Sequence, residues 1–378
     1  MKSARILVAA LALALAGCSV LPSWMGGGPD KPKAAELTSN PASLGVRQAW
    51  TARIGPVDIP VAVNVQGTTV TLASSDGSIA ALDAASGREL WRTSAGGPIA
   101  AGVGSDGRVS AVVTTGGDVV AFRDGKELWR QRLNVSGYTA PFVAGGRVFV
   151  LLADRSVVAF DGQNGRRLWT QTRPSQPLSL KYPGTMLAVG DTLVVGLAGR
   201  LVGMNPNTGA PRWDVAVATP RGINDVERLA DLVGRASRVA DIVCARAFQT
   251  AVGCVDAGRG AVVWTKSANG FEGVDGDGSF VFGTEADSTV IAWKRDSGDK
   301  AWTSDLLLNR GLSAPLVLGR AVVVGDDFGY VHLLAREDGK LLNRLATDGT
   351  PIMGAPVAAG TTLVVVTKGG GVFGFVPQ

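Results

Sequence analysis

The stretch Val157-Val-Ala-Phe-Asp161-Gly-Gln-Asn-Gly165-Arg-Arg-Leu-Trp169 decides how the chain folds. An apolar strand ends on Asp161, Gly165 closes a tight turn, and Trp169 sits on the returning strand. Asp can bond its own backbone two residues on, and Gly supplies the positive φ that a short hairpin needs. The same phrase stands earlier as Ile79-Ala-Ala-Leu-Asp83-Ala-Ala-Ser-Gly87-Arg-Glu-Leu-Trp91. Each copy is a strand, a turn and a strand, too small to bury its own apolar face.

Following the tryptophan position along the chain gives Trp50, Trp91, Trp129, Trp169, Trp213, Trp264, Trp302 and, in the eighth copy, Asn343. The steps are 41, 38, 40, 44, 51, 38 and 41 residues. A four-stranded unit of about 40 residues is the blade of a β-propeller. Helical solenoids have similar periods, but the alternation and the density of Gly and Pro argue against helices. Val148 to Leu152, Val194-Val195, Val322 to Val324 and Leu363 to Val366 are apolar, mostly β-branched runs of strand length. Val46 to Trp50 is a lone outer strand, whereas Thr361 to Val376 lacks a closing one. Pairing the N-terminal strand into the last blade closes an all-β, eight-bladed ring without an open edge. Thr139-Ala-Pro141, Ser313-Ala-Pro315 and Gly354-Ala-Pro356 mark inner strands, with Pro expected at the first strand residue.

Of 378 residues 51 are Gly and only 18% are charged, which suits short strands joined by turns. The net charge of +5 includes Lys2 and Arg5, and no long basic run appears, so nucleic-acid binding is not expected. Residues 1–17 have the positive end and short apolar run of a signal peptide. The run ends in Leu15-Ala16-Gly17-Cys18, which resembles the lipobox of bacterial lipoproteins. That resemblance implies cleavage before Cys18, acylation of Cys18, and, with Ser19 rather than Asp following, sorting to the periplasmic face of the outer membrane. Residues 18–43 are expected to be the lipidated Cys and a flexible tether, and 44–378 the propeller.

The phrase resembles the repeat of quinoprotein propellers, in which the Trp indoles dock between adjacent blades. This makes Trp50, Trp91, Trp129, Trp169, Trp213, Trp264 and Trp302 structural, since a large flat ring can fill the gap between two sheets. Asn343 breaks the pattern; a looser junction is expected there, with Asn343→Trp tolerated or mildly stabilising. A quinone-dependent dehydrogenase needs a calcium site and a catalytic carboxylate. The chain has no vicinal Cys pair and one His, His332, within a strand. Asp275, Asp277, Asp326 and Asp327 fall at turns, where Asp is expected anyway. No catalytic residue, metal or cofactor is therefore expected, and a short quinone-dependent periplasmic oxidoreductase is the alternative.

Cys244 and Cys254 flank a hairpin tip. They oppose each other if the turn is centred on Gln249, and lie on opposite faces if the turn has two residues. An oxidising periplasm favours a disulfide. The two longest steps are consecutive, placing long connections at Thr170 to Pro183 and between Trp213 and Val239. Insertions on one face of a repeat array mark its binding face, and Leu178-Ser-Leu180-Lys181 puts two leucines beside a cation, which suits a protein partner.

With the Asp225-Val-Glu-Arg-Leu229-Ala-Asp231 run and Gly325-Asp-Asp-Phe-Gly-Tyr330-Val-His332, the mature chain resembles the BamB family of lipoproteins of the outer-membrane β-barrel assembly machinery. The resemblance implies a non-enzymatic scaffold that binds the POTRA domains of BamA through Leu178, Leu180, Lys181 and Asp231. Unfolded outer-membrane proteins are a further partner it would allow. Lys181 replaces the family's frequent Arg and lacks its bidentate fork. Val233 stands where the family has a second acid.

Overall fold

Each copy of the phrase forms a hairpin whose returning strand carries a β-bulge one residue before the marker. In the copy at residues 157–169 Ala159 faces Trp169 while Phe160 faces Arg167, leaving Leu168 unpaired. The same skip occurs in every other copy. A bulge twists its strand and re-aims the side chain beside it. Here the residue opposite the indole is small: Ala81, Ala121, Ala159, Gly203, Cys254, Ala292 or Gly374. A Cβ on Gly203 would lie 2.2 Å from Trp213, and one on Gly374 2.1 Å from Trp50.

The indole reaches the next blade. Trp129 donates through Nε1 to the carbonyl of Gly162 at 3.0 Å, and a Cβ on Gly165 would meet its ring at 2.6 Å. Trp50 reaches Ala84 at 2.8 Å, Trp169 Pro206 at 3.0 Å, Trp264 Arg295 at 2.7 Å and Trp302 Arg336 at 2.9 Å. The turn glycine therefore has two roles: it takes a positive φ, and its missing side chain makes room for the preceding blade's ring.

The computed structural model describes residues 32–59, 61–173, 178–219 and 229–378. It contains eight four-stranded antiparallel sheets. Blades one to seven span residues 64–94, 104–132, 142–171, 186–216, 232–267, 274–304 and 316–346. Blade eight combines residues 357–377 with Val46–Arg53, which pairs antiparallel to Gly371–Pro377. Neighbouring inner strands touch all round, blade eight against blade one included, so the ring closes with eight blades as expected. Second and third strands are buried on both faces, as in Thr192–Leu197, because each blade is covered on either side; this is why they are unbroken apolar runs. Outer strands such as Glu89–Ser94 alternate.

Inner strands begin at Phe142, Leu316 and Val357, one residue later than the proline rule places them. Ala140, Pro141, Ala314 and Ala355 line an axial channel of about 860 Å³. Close approach here demands small residues: a Cβ on Gly104 would lie 1.7 Å from the carbonyl oxygen of Pro141.

Two expectations fail at one place. Residues 35–43, expected in the tether, belong to the compact unit Ala35–Gln378 and lie along the outer edge of blade seven. Ala35 N–H donates to Leu308 O at 2.8 Å, Arg310 Nη1 to Ala35 O at 3.0 Å, and Ser43 N–H to Leu342 O at 2.8 Å. Leu37 packs against the buried cluster formed by Val290, Leu307, Leu312, Val324 and Leu334. Asn343, less than a tenth exposed, donates to Leu44 O at 2.7 Å and accepts from Asn40 Nδ2 at 2.9 Å and Arg344 N–H at 2.7 Å. The outer hairpin of blade eight is split between the two termini, so no turn glycine exists there to receive an indole. The strap fills that place, and the junction is tightly bonded rather than loose. Residues 1–17 and Cys18 lie outside the described residues.

Candidate partner-binding site

In this strand order, connections from an outer strand to the next inner strand share a face with the turns between second and third strands. Leu178 to Lys181 follow blade three, Asp231 precedes blade five, and the turn at Asp154 to Ser156 belongs to blade three. All three therefore emerge on one face. Residues 174–177 and 220–228, including Asp225 and Glu227, lie outside the described residues; the remaining ends of both long connections meet.

Arg155 joins them. Its Nε donates to Asp231 Oδ1 at 3.0 Å, and its Nη2 donates to Asp231 Oδ2 at 3.3 Å and to the carbonyl of Leu178 at 2.7 Å. Asp231 Oδ2 also accepts the N–H of Leu180 at 3.0 Å. The two charged side chains are only 8% and 15% exposed. Burial strengthens such a pair and leaves either partner costly to remove. Asp231 thus grips the loop from below.

The two leucines differ. Leu178 is 42% exposed, whereas Leu180 is half-buried and helps line a small cleft with Tyr138, Leu152 and Tyr182. Ser179 separates them, but they do not project together. Lys181 is exposed, its Nζ 5.6 Å from the centre of the Tyr138 ring, within reach of a cation–π attraction. Tyr182 donates its hydroxyl to Glu272, at the entrance of blade six. Burial raises the Tyr182 pKa, and the charge of Glu272 adds to it. Burial likewise raises the Glu272 carboxyl, against the pull of Tyr182 and Arg246. Val233 is buried and bridges Gly184, so that position forms floor rather than rim.

Arg155, Tyr182 and Glu272 went unread in the sequence. For Arg155 a signal existed. Blade one turns through Asp76-Gly77-Ser78 and blade three through Asp154-Arg155-Ser156; aligning the repeats exposes an arginine where a turn glycine stands.

In blade five Cys244 faces Cys254 across the Gln249-centred hairpin, and their sulfurs are joined. The acidic turns have other occupations. Asp277 Oδ1 accepts the N–H groups of Ser279 and Phe280 at 2.7 and 2.9 Å, and Asp275 Oδ2 accepts that of Val317 at 2.9 Å. Asp326 is fully buried between Arg310 at 2.7 Å and His332 at 2.9 Å. Among the described residues no group of three or more His, Cys, Asp or Glu could hold a metal ion.

A family model described as outer membrane protein assembly factor BamB matches residues 75–304 and 296–376. The chain is 40% identical to the assembly factor BamB of Burkholderia pseudomallei over 90% of its length and 91% of that protein's. It is 39% identical to that of Bordetella pertussis over 95% and 93%. Among solved structures, BamB from Moraxella catarrhalis superposes with a TM-score of 0.79 at 23% identity, covering 88% of this chain and 99% of that one. A quinohemoprotein alcohol dehydrogenase from Pseudomonas putida has a TM-score of 0.70 at 13% identity, covering 91% and 78%, a likeness of fold alone. The matched residues run through nearly the whole ring and include both connections that meet at Arg155; the chain belongs to the BamB family of outer membrane protein assembly factors.

Proposed function

We propose that the protein is a non-enzymatic scaffold of outer-membrane β-barrel assembly. In this reading it is anchored through acylated Cys18 at the periplasmic face of the outer membrane and docks on the POTRA domains of BamA. Leu178 is the apolar anchor, Leu180 supports it from the cleft beneath, and Lys181 supplies the charged rim. Asp231 belongs to the same site, as the residue beneath the loop.

The carrying observation is Leu178: a leucine 42% exposed on a loop whose backbone is bonded at Leu178 and Leu180 to a largely buried ion pair. An exposed apolar side chain on a backbone held still before binding suits a hot spot, because little ordering entropy remains to be lost on association. Membership of an assembly-factor family supplies the partner class.

Capture by immobilised BamA POTRA domains tests the reading. Leu178→Ala/Leu180→Ala is expected to lower retention at least tenfold while the propeller still melts cooperatively; full retention by the folded double variant overturns it. The quinone-dependent alternative predicts dye reduction after addition of pyrroloquinoline quinone and calcium; none is expected.

A further inference from the structure

The second-to-third-strand turn of blade three holds an arginine in a backbone conformation that four other blades give to glycine. Arg155 has φ of 62° and its N–H bonds to Leu152 O at 2.9 Å. The corresponding positions, defined by the same backbone bond, are Gly77, Gly117, Gly329 and Gly370, all at positive φ. Ser288 of blade six is a second non-glycine occupant, at φ of 70°, whereas blade five makes this bond from Thr250 with the positive φ on Gln249, and blade four turns through Ala198 and Gly199. The Ser288 hydroxyl accepts the N–H of Gly311 at 3.0 Å and so fastens the connection leading to blade seven. A non-glycine residue is strained in this region, and such strain persists where the side chain does something that glycine cannot.

We propose that Arg155 is a positioning residue for the partner loop, and that Asp231 acts through Arg155 rather than by touching the partner. The proposal rests on the reading of Leu178 to Lys181 as the docking loop. The guanidinium has a planar fork. It spans the two connections, taking both oxygens of Asp231 and the carbonyl of Leu178 at once. Asp231 passes the constraint on to the N–H of Leu180. Two backbone groups flanking Ser179 are thereby fixed, and Leu178 is left standing outward. Asp231 is too enclosed to meet a partner's cation without releasing Arg155, whose side chain is itself only 8% exposed. Asp231 therefore contributes loop posture.

Arg155→Gly separates posture from folding, because glycine is the ordinary occupant of this turn and relieves the strained φ. In the full chain, Arg155→Gly is expected to melt cooperatively as wild type does. Its Leu180 amide should exchange hydrogen at least tenfold faster, and its affinity for BamA POTRA domains should fall about tenfold. Asp231→Asn should fall similarly, and the double variant should be no weaker than the weaker single, within twofold. Leu178→Ala should lose affinity without faster exchange at Leu180. If Arg155→Gly binds as wild type while Leu178→Ala does not, the inference fails and the docking site stands. Losses from Arg155→Gly and Asp231→Asn that multiply would mean that Asp231 touches the partner directly, and would also overturn it. If Leu178→Ala/Leu180→Ala binds as wild type, the docking site itself is wrong.

Discussion

At the marker position where seven outer strands carry tryptophan, Asn343 instead makes three hydrogen bonds, to Leu44, Asn40 and its own neighbour Arg344. Across the bulge it faces Leu333, so a large residue opposes a smaller one where other blades set a small residue against the indole. Asn343→Trp would overfill this pair and strip Leu44 and Asn40 of a partner. We expect destabilisation of roughly 2–4 kcal/mol, read as a lower midpoint in urea; an unchanged or higher midpoint would contradict the strap contacts. His332 is the other residue whose setting makes a prediction. Burial pushes its imidazole below the ordinary value of 6.5, Asp326 pulls upward, and Arg344 and Arg310 act with burial. The folded state takes up this proton less readily than the unfolded chain does, so the contribution of His332 is complete above about pH 6.5 and is lost as pH falls from there, by at most about 1.4 kcal/mol per pH unit. Glu272, with its raised carboxyl, works in the opposite sense. His332→Gln should therefore flatten the fall in melting temperature between pH 7 and 5.5; an equally steep fall would assign that loss to other groups.

Among the elements, the tryptophan hairpin was the most legible, because turn chemistry and strand period are local. Asp161, Gly165 and Trp169 predicted their own turn. Their docking partners lie one blade away, so the second role of each glycine was invisible in a single phrase. The strap was the least legible. Residues 35–43 have no period, since they bind an existing edge through Ala35, Asn40 and Ser43 instead of forming a strand of their own. Removing the chain before Leu44 exposes Leu37's cluster and the polar side chain of Asn343. A loss of about 2 kcal/mol would lower the melting temperature by several degrees, on the order of 2–4 °C per kcal/mol or less for a chain this long. An identical melt for the chain beginning at Leu44 would mean that the strap only rests on blade seven.

For the whole molecule, blade count, all-β class and ring closure lay in the sequence, because each blade repeats one hydrophobic pattern and the two termini supply complementary pieces of an eighth. Trp50 shows how far that logic extends: a residue on the first strand stacks over Gly374 on the last and donates to Ala84 in blade one. The position of the candidate site was also partly legible, as unequal spacing around Trp213. Its construction was not. Leu178 and Leu180 look equivalent in sequence, yet only the packing of blades three to five side by side brings Arg155 and Asp231 together, 76 residues apart, to turn one leucine outward and set the other over a cleft. The sequence by itself determined the repeating unit and its number, since those follow from local turn chemistry and periodicity. Tertiary structure alone decided which polar groups pair across blades, because a repeat can show an unusual residue such as Arg155 but not the partner that a neighbouring blade brings to it.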